Sequence, residues 1–152
     1  MNRKEKIHMR RHIDKIKDAN YERGYVYNTS YHIIWVTKYR NACFTTPELV
    51  LEMKNILLDI AAQADIKIQE IEIMPEHVHI LCSFKPKYSI TDIVKNLKGS
   101  SARIFLSRHP EIRNSQFWGN KIWSPSYYVG TVGNMSKEAV RQYILNQYNG
   151  QK

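Results

Sequence analysis

Cysteine, long apolar runs and acidic residues are all scarce in this sequence of 152 residues. The two cysteines, Cys43 and Cys82, lie far apart without CxxC spacing, which excludes a disulfide framework and a zinc knuckle. The longest uninterrupted apolar run covers only residues 33–36, and the basic N-terminus has no hydrophobic stretch behind it. We therefore expect neither a signal peptide nor a membrane span.

Basic residues, in contrast, are abundant. The chain has 23 Lys and Arg against 14 Asp and Glu, a net charge of +9 that favours a polyanionic partner. With 43% apolar residues, the composition predicts one compact domain and excludes a disordered tail protein. We divide the chain into a basic N-terminal extension, residues 1–24, and one domain, residues 25–152. The extension is either a solvated segment or an arm that follows a phosphate backbone.

Hydrophobic periodicity and turn residues divide the chain into alternating strands and helices. A strand that is apolar on both faces is predicted over Tyr25 to Lys38. Two further strands, over Ile66 to Met74 and His77 to Phe84, form a predicted hairpin. The apolar phase of the first of these slips between Ile68 and Ile71, as a bulge or a two-sided environment would cause. Helices begin at the caps Thr46, Ser89 and Ser136, the last ending near Tyr148; a long loop covers Arg108 to Ser126, and a last strand covers Tyr127 to Val132.

This order of elements predicts an α+β fold. Strand, helix, strand, strand, helix and strand is the ferredoxin-like arrangement, a four-stranded antiparallel sheet with two helices on one face. The RNA-binding RRM shares this order. A further helix at the C-terminus follows the sheet.

His77 and His79 lie two residues apart on a predicted strand, so their imidazoles project from one face about 7 Å apart. They can share a metal ion. The opposite phase, which includes Val78, Ile80 and Cys82, is apolar and faces the core. The spacing alone is weak, because two half-exposed strand histidines give the same pattern.

Tyr143 and Gln147 share a face of the last helix, four residues apart. The amide oxygen of Gln147 could be a third ligand to a hard divalent ion, while the phenol of Tyr143 reaches the reacting group. An ordinary amphipathic helix is the alternative.

Basic and aromatic side chains supply candidates for nucleic-acid binding. The aromatic candidates for base stacking, which are core or interface residues on the alternative interpretation, are Trp118, Trp123, Tyr127 and Tyr128. The basic candidates are Lys38, Arg40, Lys85, Lys87, Lys95, Lys98 and Arg103. We interpret Trp35 as a core residue, His32 as a structural strand residue and His109 as a surface histidine.

Five motifs, in order, carry a resemblance to a known family. They are Tyr31–Arg40, Glu76–Leu81, Leu97–Ser101, Tyr128–Gly133 and Tyr143–Gln147. Together they resemble the single-tyrosine HUH transposases, the TnpA-type enzymes of the smallest bacterial and archaeal insertion sequences. The resemblance runs from about Tyr25 to Gln147.

The resemblance implies that His77, His79 and Gln147 hold Mg²⁺ or Mn²⁺ and that Tyr143 is the nucleophile. It implies an enzyme that cuts and rejoins single-stranded DNA with hairpin ends through a 5′-phosphotyrosine intermediate. Such enzymes act as homodimers, and they work in the cytoplasm, near the nucleoid of a prokaryote, without a nucleotide cofactor. Glu76 departs from the family pattern, where Asp is common, as do Asn41 and the long basic extension.

Two other functions remain open. A domesticated REP-associated tyrosine transposase would use the same nicking chemistry without a mobile element of its own. A non-catalytic, RRM-like RNA-binding module is the third possibility, although Lys98-Gly99 is followed by Ser-Ser-Ala and not by the aromatic residues of the RRM motif.

Overall fold

The computed structural model of the chain describes residues 20–22, 25–27, 29–116, 121–131 and 142–146. The strands are β1 (Asn20–Glu22), β2 (Tyr25–Tyr27), β3 (Tyr31–Val36), β4 (Lys67–Met74), β5 (His77–Ser83) and β6 (Tyr128–Thr131). The helices are α1 (Pro47–Gln63), α2 (Ile90–Arg108), α3 (Pro110–Gln116) and α4 (142–146), and a 3₁₀ turn spans Lys38–Arg40.

Four of the strands form one antiparallel sheet in the order β4-β5-β3-β6. Helix α1 connects β3 to β4, and α2 follows the β4-β5 hairpin. Buried side chains of α1 and α2 pack in one cluster with residues of β3, β4 and β5, so both helices cover the same face. The predicted ferredoxin-like α+β fold is confirmed.

Strand β3 is the most buried strand of the sheet. Ile33, Ile34, Trp35 and Val36 all have zero exposure, as the prediction of a strand buried on both faces requires. The strand pairs with β5 on one side and with β6 on the other. Each face of β3 is therefore covered, and its side chains connect the core to the opposite side of the sheet.

The prediction of one continuous strand from Tyr25 to Lys38 is wrong. β2 and β3 are separate, and β2 pairs with β1 in a sheet of its own. The polar residues Thr29 and Ser30 lie between them outside any strand. Both β2 and β3 are rich in apolar residues, so composition alone does not show that they pair with different strands. The boundary placed after residue 24 falls between the paired strands β1 and β2.

Both long helices begin as predicted, at hydroxyl caps. Thr46 Oγ1 accepts a hydrogen bond from the Leu49 amide at 3.2 Å, and Pro47 occupies the first helical position. Ser89 Oγ accepts from the Asp92 amide at 3.1 Å. The helix phases are thereby fixed, and their apolar stripes turn towards the sheet.

The β4-β5 hairpin is also confirmed. Pro75 and Glu76 form its turn. The pairing register shifts between Ile68 and Glu70, which favours the bulge over the two-sided environment as the cause of the slip in apolar phase. Downstream of the bulge, β4 and β5 pair in register up to Met74 and His77. This pairing fixes which β5 side chains face the helices.

The prediction of a long loop from Arg108 to Ser126 is wrong in part. Pro110 begins the short helix α3, with Glu111 in its first turn and Ile112 buried. Farther on, Trp123 pairs with Thr37 in an isolated bridge, and its ring is buried edge-on against Trp35. Trp35 is a core residue, as predicted. Trp123 is also buried in the core, which agrees with the alternative interpretation given for this base-stacking candidate.

Several predicted features lie outside the described residues. These are the N-terminal residues 1–19, the stacking candidate Trp118, the strand end at Val132, and the helix limits Ser136 and Tyr148. Among the described helices, none combines the length and apolarity that a membrane crossing needs. Both cysteines are free and buried, which agrees with the absence of a disulfide framework.

Candidate active site

The face of the sheet that turns away from α1 and α2, here called the outer face, carries the predicted catalytic side chains. Val78, Ile80 and Cys82 have zero exposure within the core. Since side chains alternate along a strand, His77 and His79 project to the outer face, as predicted. Both histidines are half-buried.

Strand register places one row of residues across the outer face. Glu72 pairs with His79, His79 with Ile34, and Ile34 with Tyr128. Directly paired residues share a face of the sheet. His79 and Tyr128 are thus two strand spacings apart, about 10 Å.

His77 is oriented by its chain neighbour. Its Nδ1 lies 3.0 Å from Oε1 of Glu76, and the His77 side chain is 16% exposed. A carboxylate that accepts from Nδ1–H leaves Nε2 with a lone pair. This is the usual arrangement of a histidine that binds a metal through its other nitrogen.

His79 contacts a second histidine. Its Nε2 lies 2.9 Å from Nδ1 of His32 on β3, with the two ring centroids 5.2 Å apart. Burial lowers the pKa of His79, and the charges of His32 and His77 lower it further, against the opposing effect of Glu72 and Glu70. The imidazole of His79 is therefore held neutral near pH 7, which is its metal-binding form.

His32 is the site residue that the sequence reasoning missed. It is predicted as a structural strand residue, and the structure places it against His79. The strand pattern could have indicated this contact. His32 and Ile34 lie on the same face of β3, and Ile34 pairs with His79. Finding the contact from sequence would have required the strand order β5-β3.

Tyr143 lies on α4 at the β6 side of the outer face. Its ring centroid is 5.7 Å from that of Tyr128, and its hydroxyl is 3.4 Å from Oγ of Ser126. Burial raises the pKa of Tyr143, while the hydrogen bond between its hydroxyl and that of Ser126 opposes the rise. The phenol is therefore protonated at neutral pH and must lose its proton as it attacks.

The residues present suit a divalent metal only in part. His77 and His79 offer two oriented imidazoles on one face, and Gln147, the predicted third ligand, lies outside the described residues. Across the described stretches, no three His, Cys, Asp or Glu side chains converge in a metal-binding group. An amide oxygen, such as that of Gln147, is a ligand type that suits a hard divalent ion beside two imidazoles.

Two basic candidates line a cavity of about 520 Å³ beside α2. Lys95 and Lys98 share it with Lys121, Trp123 and Tyr127. Its walls combine apolar surface with ammonium groups, a combination suited to a nucleotide. Burial lowers the pKa of Lys98 to about 8.

The other basic candidates lie elsewhere on the surface. Lys38 and Arg40 belong to the 3₁₀ turn after β3, and Lys87 lies near the Tyr88 ring. Lys85 pairs with Asp65 at 3.2 Å. Arg103 lines a groove between α1 and α2. The structure therefore brings Lys95 and Lys98 together at one cavity, and the other five candidates are not part of its lining.

Other titratable groups have structural roles. Burial raises the pKa of Cys43 and of Cys82 to about 12, so neither thiol is a nucleophile at neutral pH. His109, predicted as a surface histidine, is half-buried and contacts Glu52 on α1 and Glu111 on α3. It connects the helices and lies outside the candidate site.

Comparison with known proteins identifies relatives along most of the chain. A family model described as "Transposase IS200 like" matches residues 25–147. The ISDra2 transposase TnpA of Deinococcus radiodurans is 41% identical over 127 residues, which are 84% of this chain and 89% of that protein. The transposase for insertion sequence element IS200 of Salmonella typhimurium is 28% identical over 126 residues, 83% of this chain and 81% of that protein.

Solved structures agree with this comparison. A crystal structure described as a transposase from Deinococcus radiodurans R1 has a TM-score of 0.77 and 42% identity, covering 85% of this chain and 98% of that one. The REP-associated tyrosine transposase bound to a REP hairpin has a TM-score of 0.51, covering 88% of this chain and 75% of that one. At 15% identity, this second likeness shows the fold alone.

Proposed function

Because this chain belongs to the IS200-like transposase family, with a match across residues 25–147, we propose that it cuts and rejoins single-stranded DNA through Tyr143. Family membership makes the protein a transposase and thus a DNA-cleaving enzyme. The observation that supports the finer chemistry is that His77 and His79 lie on the outer face of the sheet, where Tyr143 of α4 contacts Tyr128 of β6.

In the proposed reaction, the Tyr143 oxygen attacks the phosphorus of the scissile phosphodiester. The bond from the phenol oxygen to phosphorus forms, the bond from phosphorus to the 3′ oxygen breaks, and the leaving 3′ oxygen takes up a proton. The phenol proton passes to solvent. One phosphodiester replaces another, so the bond energy is kept in the 5′-phosphotyrosine and rejoining needs no nucleotide cofactor.

His77 and His79 would hold Mg²⁺ or Mn²⁺, with Gln147 as a third ligand. A bound divalent ion would offset the charge of the phosphodiester and stabilise the leaving oxygen. The contact of Glu76 with His77 and that of His32 with His79 orient the two rings. The neutral state of His79 favours the same role.

We propose single-stranded DNA with hairpin ends as the substrate. The cavity beside α2 supports a single-strand substrate, because Tyr127 offers a stacking surface and Lys95 and Lys121 offer charge for phosphate. A protein of the same fold is known bound to a REP hairpin. A DNA substrate of this kind would place the protein in the cytoplasm of a prokaryotic cell, near the nucleoid.

We also propose a homodimer. Tyr128, which Tyr143 contacts, is about two strand spacings from His79. The scissile phosphate could bridge this gap within one chain, or Tyr143 of one subunit could complete the histidine site of the other.

The comparisons bear on the alternative functions. The 41% identity to an insertion-sequence transposase favours a mobile-element enzyme over a domesticated REP-associated one, whose solved relative is 15% identical. The RNA-binding module is set aside, since the matching family consists of transposases.

The experiment that tests the proposal is a denaturing gel that detects a covalent protein–DNA band. Wild type and Tyr143→Phe are mixed with labelled top and bottom single strands from the flanks of the gene, with Mg²⁺ or with chelator. We expect a band on one strand, dependent on metal and on Tyr143. Tyr31→Phe, which removes a hydroxyl from the partly buried Tyr31 ring beside the core, is the matched control. A full-strength band from Tyr143→Phe would refute the proposal.

A further inference from the structure

Lys98 of helix α2 forms hydrogen bonds with the backbone segment that precedes β6. Its Nζ donates to the carbonyl oxygen of Ser124 at 2.6 Å and to that of Ser126 at 3.0 Å. The ammonium also lies 6.0 Å from the centroid of the Tyr127 ring. Hydrogen bonds from a charged donor are stronger than neutral ones, so this pair adds to the hydrogen bond from the Ser124 amide to the Val36 carbonyl, 2.9 Å long, in holding residues 124–126 in place.

The same backbone segment carries both described contacts to Tyr143. Ser126 supplies its hydroxyl at 3.4 Å, and Tyr128 supplies its ring at a centroid distance of 5.7 Å. Lys98 therefore holds the segment from the α2 side, and the segment presents Ser126 and Tyr128 to the phenol.

We propose that Lys98 and Ser126 are positioning residues for Tyr143, Lys98 by fixing the Ser124–Ser126 backbone and Ser126 by its hydroxyl contact with the phenol oxygen. This inference rests on the proposed role of Tyr143 as nucleophile. Lys98 is one of the predicted DNA-binding residues, and on this proposal its ammonium binds backbone carbonyls of the protein and not DNA phosphate.

The Ser126 contact gains strength as the reaction proceeds. A separation of 3.4 Å is long for a hydrogen bond between two hydroxyls, so the contact is weak while the phenol is neutral. Negative charge that develops on the Tyr143 oxygen makes it a better acceptor for the Ser126 hydroxyl. Interactions that strengthen towards the transition state raise the rate and leave DNA affinity unchanged.

The Lys98 contact supplies geometry. Its pKa of about 8 keeps the ammonium mostly protonated at neutral pH, so its donors remain available to the two carbonyls. Without them, the backbone of Ser126 loses one of its contacts, and the Ser126 hydroxyl shifts relative to the phenol of Tyr143, while Tyr128 stays paired with Ile34 of β3. A displacement of about 1 Å in a reacting group can cost on the order of 100-fold in rate.

The test is the single-turnover rate of covalent adduct formation at saturating single-stranded DNA, measured beside the dissociation constant for the same DNA. For Ser126→Ala we expect a rate about tenfold lower with unchanged affinity, and recovery in Ser126→Thr. For Lys98→Met we expect a larger loss of rate at saturation, about 10- to 100-fold. Ser107→Ala, which removes an exposed hydroxyl of α2, and Lys54→Met on α1 are the matched controls.

A pH profile separates positioning from a structural effect. Loss of the Ser126 hydrogen bond should raise the apparent pKa at which Tyr143 becomes reactive, and Lys54→Met should leave it in place. Thermal unfolding of each variant identifies any that fails to fold. If Lys98→Met does not fold, the rate and pH profile of Ser126→Ala still test the positioning of Tyr143.

The outcomes are distinguishable. Wild-type or faster rates in both Ser126→Ala and Lys98→Met overturn the positioning role, whereas a loss that appears only as weaker DNA affinity assigns Lys98 to DNA binding instead. An adduct that survives Tyr143→Phe overturns the proposed nucleophile itself, independently of Ser126 and Lys98.

Discussion

The two faces of the sheet differ in the contacts that their side chains make. On the helix-covered face, Val78, Ile80 and Cys82 have zero exposure and make contacts that need only shape and apolarity. On the outer face, His79 and Tyr143 are half-buried and make polar contacts to His32 and Ser126. The first face stabilises the fold, and the second presents the residues proposed to carry out the chemistry.

Alternation along β5 makes the comparison testable at neighbouring positions. His79 and Ile80 are adjacent in sequence, yet the side chain of one lies on the outer face and that of the other in the core. A change at one position should alter activity, while a change at the other should alter stability.

The largest expected effect is on activity, from His79→Ala. Loss of one of the two imidazoles should lower the rate of adduct formation by at least about 100-fold, because removing a metal-orienting group alone costs 10- to 100-fold. The midpoint of thermal unfolding should change little, since the side chain lies outside the hydrophobic core. Single-turnover gels and thermal unfolding measure the two effects.

Ile80→Ala is the control on the other face. Truncation of this fully buried side chain should cost roughly 2–5 kcal/mol of unfolding free energy. Activity per folded molecule should stay near that of wild type. If His79→Ala unfolded the protein, or Ile80→Ala abolished chemistry in folded molecules, the division between the faces would be wrong.

An intermediate effect is expected from His32→Phe. The substitution keeps a ring on β3 and removes the hydrogen bond to His79, so we expect about tenfold weaker binding of Mn²⁺, followed by titration calorimetry. Tyr31→Phe on the same strand should leave Mn²⁺ affinity unchanged. Equal Mn²⁺ affinities for His32→Phe and wild type would show that His32 has no part in orienting His79.

The smallest expected effect is on the pH dependence of stability, through the contacts of His109 with Glu52 on α1 and Glu111 on α3. Partial desolvation tends to lower the pKa of His109, but hydrogen bonds to Glu52 and Glu111 outweigh it and raise the pKa. A raised pKa in the folded state adds stability that is complete below the usual pKa of about 6.5 and is lost as pH rises through the folded value.

Urea unfolding at several pH values measures this contribution. We expect wild type to lose stability relative to His109→Asn as pH rises above about 6.5. A parallel pH dependence of the two proteins would contradict the role of His109. Adduct formation per folded molecule should be the same in both, since His109 lies away from the outer face.

Local chemistry made much of the fold predictable. Hydroxyl caps at Thr46 and Ser89, the Pro75-Glu76 turn and the bulge in β4 all follow from residues near each other in sequence. The orientation of His77 and His79 follows from the alternation of β5 alone.

The remaining features depend on contacts between distant segments. β2 and β3 pair with different strands although only a short polar stretch separates them, and the start of α3 at Pro110 lies within a polar stretch. The contact of His32 with His79 requires the strand order, and that of Ser126 with Tyr143 requires the docking of α4 on β6. No pattern within a single segment contains that information.

Whether Tyr143 is the nucleophile can be read directly from the side chain that carries the DNA. The adduct formed by wild type on a single strand would be digested with protease and nuclease, and the peptide that carries the remaining nucleotide would be sequenced by mass spectrometry. We expect a nucleotide joined through its 5′ phosphate to the phenol oxygen of Tyr143. Modification of any other residue, or cleaved DNA ends without a covalent peptide, would contradict it.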